Sequence, residues 1–132
     1  MKGFFINEKR VRYGWGYLTY PEAIMLGIKT IETRNRNMLR SLVGERVAVV
    51  STKSGRKPLV VGTVYISDAM FISADLWDMY REDTLVPPGS KFDNKGKGKW
   101  GYILEDAQEC EPYPLPDNAV RHGLSWCEFE EV

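Results

Sequence analysis

Apolar positions in this chain come in short bursts between polar and glycine-rich segments, the spacing of strands rather than of long helices. Phe4-Phe5-Ile6 reads as a first strand. Val47-Ala48-Val49-Val50 is a nearly unbroken apolar run and predicts a buried strand. Leu59 to Ile66 follows, opened by Pro58 and interrupted by Gly62, which predicts a bulge or the close approach of another backbone. The basic segment Ser51 to Lys57 joins these two as a hairpin with a loop of about seven residues. Trp100 to Leu104 is a further strand. Pro112, Pro114 and Pro116 fall at alternate positions and predict extended edge structure. Leu124 to Phe129 alternates and predicts a last strand with Leu124 and Trp126 on one face.

Two helices are signalled. Thr19 and Glu22 make a capping box, T-x-x-E, and Pro21 suits the first turn, where amides have no intrahelical partner. Ala23, Ile24, Met25 and Leu26 supply its apolar face, and Gly27 suits the left-handed position after the last turn. At about two turns this helix needs tertiary packing to persist. Ser73 can cap a second helix from Ala74 to about Glu82, with Leu76, Trp77, Met79 and Tyr80 on its apolar face. Asn7 to Arg12 reads as a basic loop, followed by the aromatic and glycine segment Tyr13-Gly14-Trp15-Gly16-Tyr17. Asn35 to Arg40 reads as a basic, amide-rich loop. Phe92 to Lys99 is a glycine and lysine loop without the G-x-x-x-x-G-K-[ST] spacing of a P-loop, and reads either as solvated or as a loop against nucleic-acid backbone. The pattern describes one α+β domain over residues 1–132: a small mixed or antiparallel barrel of five to seven strands, with two or three helices at its ends.

Composition adds one asymmetry. The net charge is zero, yet residues 1–66 hold twelve Lys and Arg against four Asp and Glu, while residues 67–132 hold six against fourteen. The basic half can present a patch to phosphates, or the two halves can pair with each other in the fold. Seven Tyr and four Trp suit contact surface as well as core. Cys110, Cys127 and the single His122 match no metal spacing, so neither a metal nor a cofactor is indicated. The apolar runs are too short for a secretory signal or a membrane helix, and the expectation is a cytoplasmic protein with reduced thiols and no membrane partner.

The candidate chemistry lies where the first helix runs into the strand Lys29 to Arg34. Alternation places Thr30, Glu32 and Arg34 on one face. Lys29 sits at the strand's mouth, where its direction is open. Glu32 and Arg34 either form a structural ion pair or one orients the other towards a ligand. Arg34 can grip a phosphate or a base edge, and Glu32 can accept from an exocyclic amine. A desolvated Lys29 could act as base or nucleophile, whereas beside Glu32 it becomes a charged clamp. Trp15 and Tyr17 offer rings for base stacking, and Arg36 and Lys53 could extend a basic groove.

The pattern G-x-K-x-x-E-x-R formed by Gly27, Lys29, Glu32 and Arg34 resembles the signature of ASCH domains, within the PUA-like superfamily. Residues 46–53 and 58–64 look like that family's central hairpin, entered through Gly44-Glu45-Arg46-Val47-Ala48-Val49. The resemblance implies a β-barrel with a cleft beside the motif, and RNA or a modified nucleoside as ligand. Some ASCH proteins are ribonucleases. Others are amidohydrolases that deacylate N4-acetylcytidine using the motif Lys, a Thr three residues on and a separate Glu. Lys29 matches that Lys, and Glu32 stands in place of the Thr. Two readings follow. One is an RNA- or nucleotide-binding domain using Lys29, Glu32, Arg34, Trp15, Tyr17, Arg36 and Lys53. The other is a small hydrolase, a ribonuclease or an amidohydrolase, with Lys29 and Glu32 catalytic. A cleft that brings Lys29 to Glu32 with room for one base favours the hydrolase. A shallow basic groove from Arg10 past Arg36 to Lys53 favours the binder.

Overall fold

The computed structural model describes residues 1–131. Strands β1 (Lys2–Asn7), β4 (Ile31–Arg34), β5 (Glu45–Lys53), β6 (Arg56–Ile72), β7 (Lys99–Pro114), β8 (Val120–His122) and β9 (Trp126–Glu128) form one sheet in the order β4-β7-β6-β5-β1-β9-β8. Only β1 and β5 are parallel; the other pairings are antiparallel. This mixed sheet curls into a half-barrel with few, short helices, as the strand-rich pattern predicts. A separate two-stranded hairpin, β2 (Arg10–Tyr13) and β3 (Gly16–Thr19), leads into helix α1 (Tyr20–Met25). Helix α2 (Arg81–Thr84) is a single turn that continues a 3-10 turn at Trp77–Tyr80.

The apolar run in β5 is buried because both of its faces are covered. Val47 and Val49 enter a core with Phe4, Ile6, Ile24 and Tyr102. Ala48 and Val50 face a second cluster with Phe5, Leu115, Cys127 and Phe129. A third cluster, Ile31, Ile72, Trp77 and Val86, seats the turn before α2 against β4 and β6. Each residue of β5 from Val47 to Val50 is fully shielded. Alternation therefore sends side chains to two apolar environments instead of one apolar and one wet.

The capping box forms as read: Glu22 N donates to Thr19 Oγ1 at 3.3 Å and Thr19 N donates to Glu22 Oε1 at 3.0 Å. Gly27 follows with φ +73°, where a glycine avoids the Cβ clash of the left-handed region. The buried face is Tyr20, Pro21, Ala23 and Ile24, however, while Leu26 is exposed. The reason is helical period: the Leu26 amide donates to the Glu22 carbonyl at 2.9 Å, so Leu26 lies one turn beyond Glu22 on the exposed face.

Several local expectations are corrected by pairing that side-chain polarity does not reveal. The hairpin loop of about seven residues is a two-residue turn, because Lys53 pairs with Arg56 across Ser54-Gly55. Segment 100–104 and the proline-rich segment are one strand, β7, which follows β6 around the curl through three register shifts. The basic segment Asn7 to Arg12 is strand at both ends: Asn7 closes β1, and Arg10–Tyr13 pairs with Gly16–Thr19. Solvated strand ends carry loop-like residues because ladder bonds use only the backbone. The second helix is broken; Trp77 is buried while Leu76 and Met79 face solvent. In the last segment Leu124 is exposed beside the Gly123 turn, and Cys127 and Phe129 are the buried positions, because β9 pairs Cys127 with Gly3. Cys110 and Cys127 are both free thiols.

The glycine and lysine loop is anchored. Asp93 accepts from Trp77 Nε1 at 2.8 Å, Arg81 Nη1 at 2.8 Å, Gly89 N at 2.7 Å and Asn94 N at 2.9 Å. The Gly89 amide foremost, with Arg81, Asn94 and Trp77, holds its carboxyl well below the usual range against the opposing pull of burial. Among the described residues no helix is long and apolar enough to cross a membrane.

Two outcomes follow. At Gly62 an added Cβ would lie 2.5 Å from the Gln108 carbonyl and 3.1 Å from Glu109 Cα, and would also strike Met25 Sδ. Gly62→Ala is expected to cost about 2 kcal/mol in denaturant unfolding. Adding Met25→Ala should not restore it, because the backbone of β7 still blocks the site; full rescue would place the clash at Met25 alone. Asp93→Asn is expected to cost about 2 kcal/mol at pH 7. Because the folded carboxyl is depressed, its contribution is complete above the unfolded value of about 3.9 and is lost as pH falls through the folded value. The melting difference between wild type and variant should therefore narrow towards pH 2.

Candidate functional site

The turn after α1 aims the motif. Leu26 and Gly27 close the helix, and the amides of Ile28 and Lys29 both donate to the Ala23 carbonyl, at 2.9 and 3.0 Å. Lys29 therefore precedes β4 rather than belonging to it, and strand alternation does not set its direction. Its side chain turns to the Glu32 side and is 2% exposed. Nζ donates to the Ile31 carbonyl at 3.0 Å and to the Thr84 carbonyl at the end of α2. It lies 3.6 Å from Glu32 Oε1 and 4.8 Å over the Tyr20 ring. An ammonium has three N–H groups, and three oxygens surround this one.

Glu32 is buried on the same side. Oε1 accepts from Thr33 N at 3.1 Å, and Oε2 accepts from Arg34 Nη2 at 3.0 Å. Burial favours its neutral acid, but Arg34 and Lys29 outweigh that and hold the carboxyl below the usual range. Lys29 is in the mirror position: burial pushes its ammonium down, and Glu32 pushes back without cancelling it. Arg34 Nη2 also donates to the Phe5 carbonyl at 2.6 Å. Of the two arrangements open to Glu32 and Arg34, the ion pair is present, and the pair reaches across to β1. Arg34 Nη1 and Nε have no protein partner among the described residues and are not sealed from solvent.

These groups line a cleft of about 450 Å³ between β1 and β4. Phe5, Ile6 and Asn7 form one wall, and Glu32, Thr33 and Arg34 the other. Tyr20, Lys91, Phe92 and Lys99 close it from the side of the anchored loop. Burial, with Glu32 adding to it, pushes the Tyr20 hydroxyl up to about 12, and its OH donates to the Leu85 carbonyl at 3.3 Å. Tyr102, in β7, accepts from Leu39 N at 3.2 Å and donates to Asn37 Oδ1 at 2.8 Å, which fixes the loop after β4.

Of the residues singled out from sequence, Lys29, Glu32 and Arg34 come together. Trp15, Tyr17, Arg36 and Lys53 are exposed and do not line the cleft, although Asn35 and Thr52, the neighbours of the last two, do. Lys99 ends the glycine and lysine segment, whose sequence reads either as solvated or as a loop against nucleic-acid backbone. It is 5% exposed, donates to the Phe92 carbonyl at 2.8 Å and sits 5.7 Å over the Trp77 ring. Burial lowers its ammonium while Glu32 raises it. The available signal was its place immediately before Trp100, the residue paired with Arg34, but that register exists only in the folded sheet.

No protein-family model matches the chain, and no curated protein does. Solved structures do. The ASCH protein of Zymomonas mobilis is 21% identical, covering 86% of this chain and 73% of that chain, with a TM-score of 0.57. Two single-residue variants of the same protein are 21% and 22% identical, each covering 86% of this chain and 74% and 76% of theirs, with TM-scores of 0.62 and 0.57. At such identity the likeness is one of architecture: this chain has the fold of the Zymomonas mobilis ASCH protein, a curled sheet with small helices.

Proposed function

We propose that the protein binds RNA or a nucleotide in the cleft between β1 and β4. The observation that carries this reading is the cleft's charge. Four cationic side chains, Lys29, Arg34, Lys91 and Lys99, line it against one carboxylate, Glu32. The hollow beside α1, of about 240 Å³, is lined by Glu8, Glu22 and Glu109 and by no Lys or Arg. Only the first attracts an anion.

Each group has a role in this reading. Lys29 has its protons directed at protein oxygens, so it acts as a fixed charge that holds Glu32. Arg34 keeps Nη1 and Nε for a phosphate or a base edge. Glu32, already sharing its oxygens with Arg34 and Thr33, takes an exocyclic amine at its remaining acceptor positions. Tyr20 and Phe92 supply flat apolar surface for the base, and Asn7 and Asn35 supply amides at the rim.

One observation favours the hydrolase reading. Lys29 and Glu32 are buried together in a cleft with room for a base. Against it, a lysine acting as base or nucleophile must have a lone pair free, and the three oxygens around Nζ are placed for an ammonium. Glu32 in place of Thr also removes the hydroxyl used by the deacylating relatives. The binding reading is therefore preferred.

For the cleft, Arg34→Ala is expected to weaken oligonucleotide binding about tenfold in fluorescence anisotropy. Lys91→Ala should leave the melting temperature unchanged and flatten the slope of log K against log salt by about 0.7. An affinity indifferent to salt and to both changes would exclude the cleft. Burial also alters what a Lys29 variant means. Lys29→Ala removes the partner of a buried carboxylate and is expected to cost about 3 kcal/mol of stability, so lost turnover in that variant alone does not show catalysis. Wild type incubated with RNA and with acylated nucleosides should give no turnover above blank. Turnover that disappears in a Lys29→Gln variant that remains folded would instead establish the hydrolase.

A further inference from the structure

The β2–β3 hairpin stands apart from the main sheet and displays three aromatic rings: Tyr13 is 48% exposed, Tyr17 67% and Trp15 105%. Its register pairs Val11 with Leu18 and Arg12 with Tyr17. Val11 is buried in the main core, so that face of the hairpin packs inward. Alternation then leaves Arg10, Arg12 and Tyr17 together on the outer face. Trp15 occupies the turn between Gly14, at φ +59°, and Gly16, with open space around both glycines. From Lys9 to Leu18 the chain holds three cations and no carboxylate.

A fully exposed tryptophan at a turn, next to arginines and without an acid, has no role in holding the fold. Its position relates it to the cleft. Asn7, where β1 ends two residues before the hairpin, and Tyr20, which follows it directly, both line the cleft. Tyr20 N donates to the Lys9 carbonyl at 3.1 Å, and Lys9 Nζ lies 5.2 Å over the ring of Phe92, another lining residue. The hairpin rises from the cleft's rim, and four residues per strand carry its tip about 14 Å from the feet.

We propose that this hairpin is a second contact for single-stranded nucleic acid, with one base stacked on Trp15 and the backbone held by Arg10 and Arg12. The ligand is then a strand running from cleft to hairpin, not a free nucleotide. The proposal rests on the cleft reading above and specifies its ligand class. Charge complementarity favours this occupant: phosphates match an acid-free cationic arm, and each base offers a π-face to an exposed ring irrespective of sequence. A bilayer surface also accepts Trp and Arg, but the tip between Tyr13 and Tyr17 carries no aliphatic side chain to insert.

The test compares fluorescein-labelled oligouridylates of two and of ten nucleotides, by anisotropy, on wild type, Trp15→Ala, Arg12→Ala and Arg34→Ala. Wild type should bind the longer strand at least about tenfold more tightly. Trp15→Ala should lose that gain and keep its affinity for the dinucleotide, with an unchanged melting temperature because the ring touches nothing. Arg12→Ala should reduce the salt slope on the longer strand only. Arg34→Ala should weaken both lengths. Equal binding of the ten-mer by wild type and Trp15→Ala overturns the hairpin's role and leaves the cleft reading standing. Trp15-dependent binding of the ten-mer that ignores Arg34 overturns the cleft reading instead. Binding of neither oligonucleotide by wild type overturns both. Trp15-dependent binding to phosphatidylserine vesicles without ten-mer binding reassigns the hairpin to a membrane surface and overturns the proposal.

Discussion

The contact on which the site depends is the reach of Arg34 from β4 to the Phe5 carbonyl of β1, made while the same Nη2 donates to Glu32. β4 is one edge of the curled sheet and bonds only to β7; β1 lies on the far side of the curl, between β5 and β9. No backbone ladder joins β4 to β1. A guanidinium spans the gap, and the gap is the cleft. A closed ladder would have left no room there, and an unbridged edge would have left the β1 carbonyl without a donor. One charged side chain bridges the seam and leaves a cleft of about 450 Å³ beside it.

That arrangement sets the electrostatics. Glu32 is buried, and a buried carboxylate survives only with partners. Arg34 and Lys29 supply them, and Lys99 adds a further positive charge that responds to Glu32. For Lys29 the competition runs the other way, with desolvation the larger effect and Glu32 the principal opposition. The carbonyls of Ile31 and Thr84 share its protons. Part of the motif is thus structural: Lys29 ties the end of α2 to β4, and Glu32 ties Lys29 to Arg34. What remains unpaired is the cleft-facing surplus of positive charge and the free edge of Arg34.

The supports of the site are tertiary, because its helices are short. A six-residue helix with one capping box and a one-turn helix carry little stability of their own. α1 is held by Tyr20 and Ile24 in the main core, and the turn before α2 by Trp77 in the third cluster. Asp93 fastens the loop carrying Phe92 to Trp77 and Arg81 by two hydrogen bonds and braces it internally by two more, from Gly89 and Asn94. The side of the cleft away from the sheet is therefore a folded wall.

What the amino-acid sequence determined by itself is whatever local chemistry dictates. The capping box at Thr19 and Glu22, the turn at Gly27, the buried run at Val47–Val50, the tight spot at Gly62 and the shared face of Glu32 and Arg34 are consequences of residue type and period, and all are present in the fold. The order of the strands, the joining of β7 into one ribbon, the inward turn of Lys29 and the burial of Lys99 were decided by tertiary structure. They depend on which backbone pairs with which, and hydrogen-bonded ladders do not read side chains. The placing of the last strand has the same cause: pairing Cys127 with Gly3 sets Cys127 against the second core, while Trp126 packs on the main one. The cleft belongs to this second class, because β1 and β4 are distant in sequence and meet only when the sheet curls.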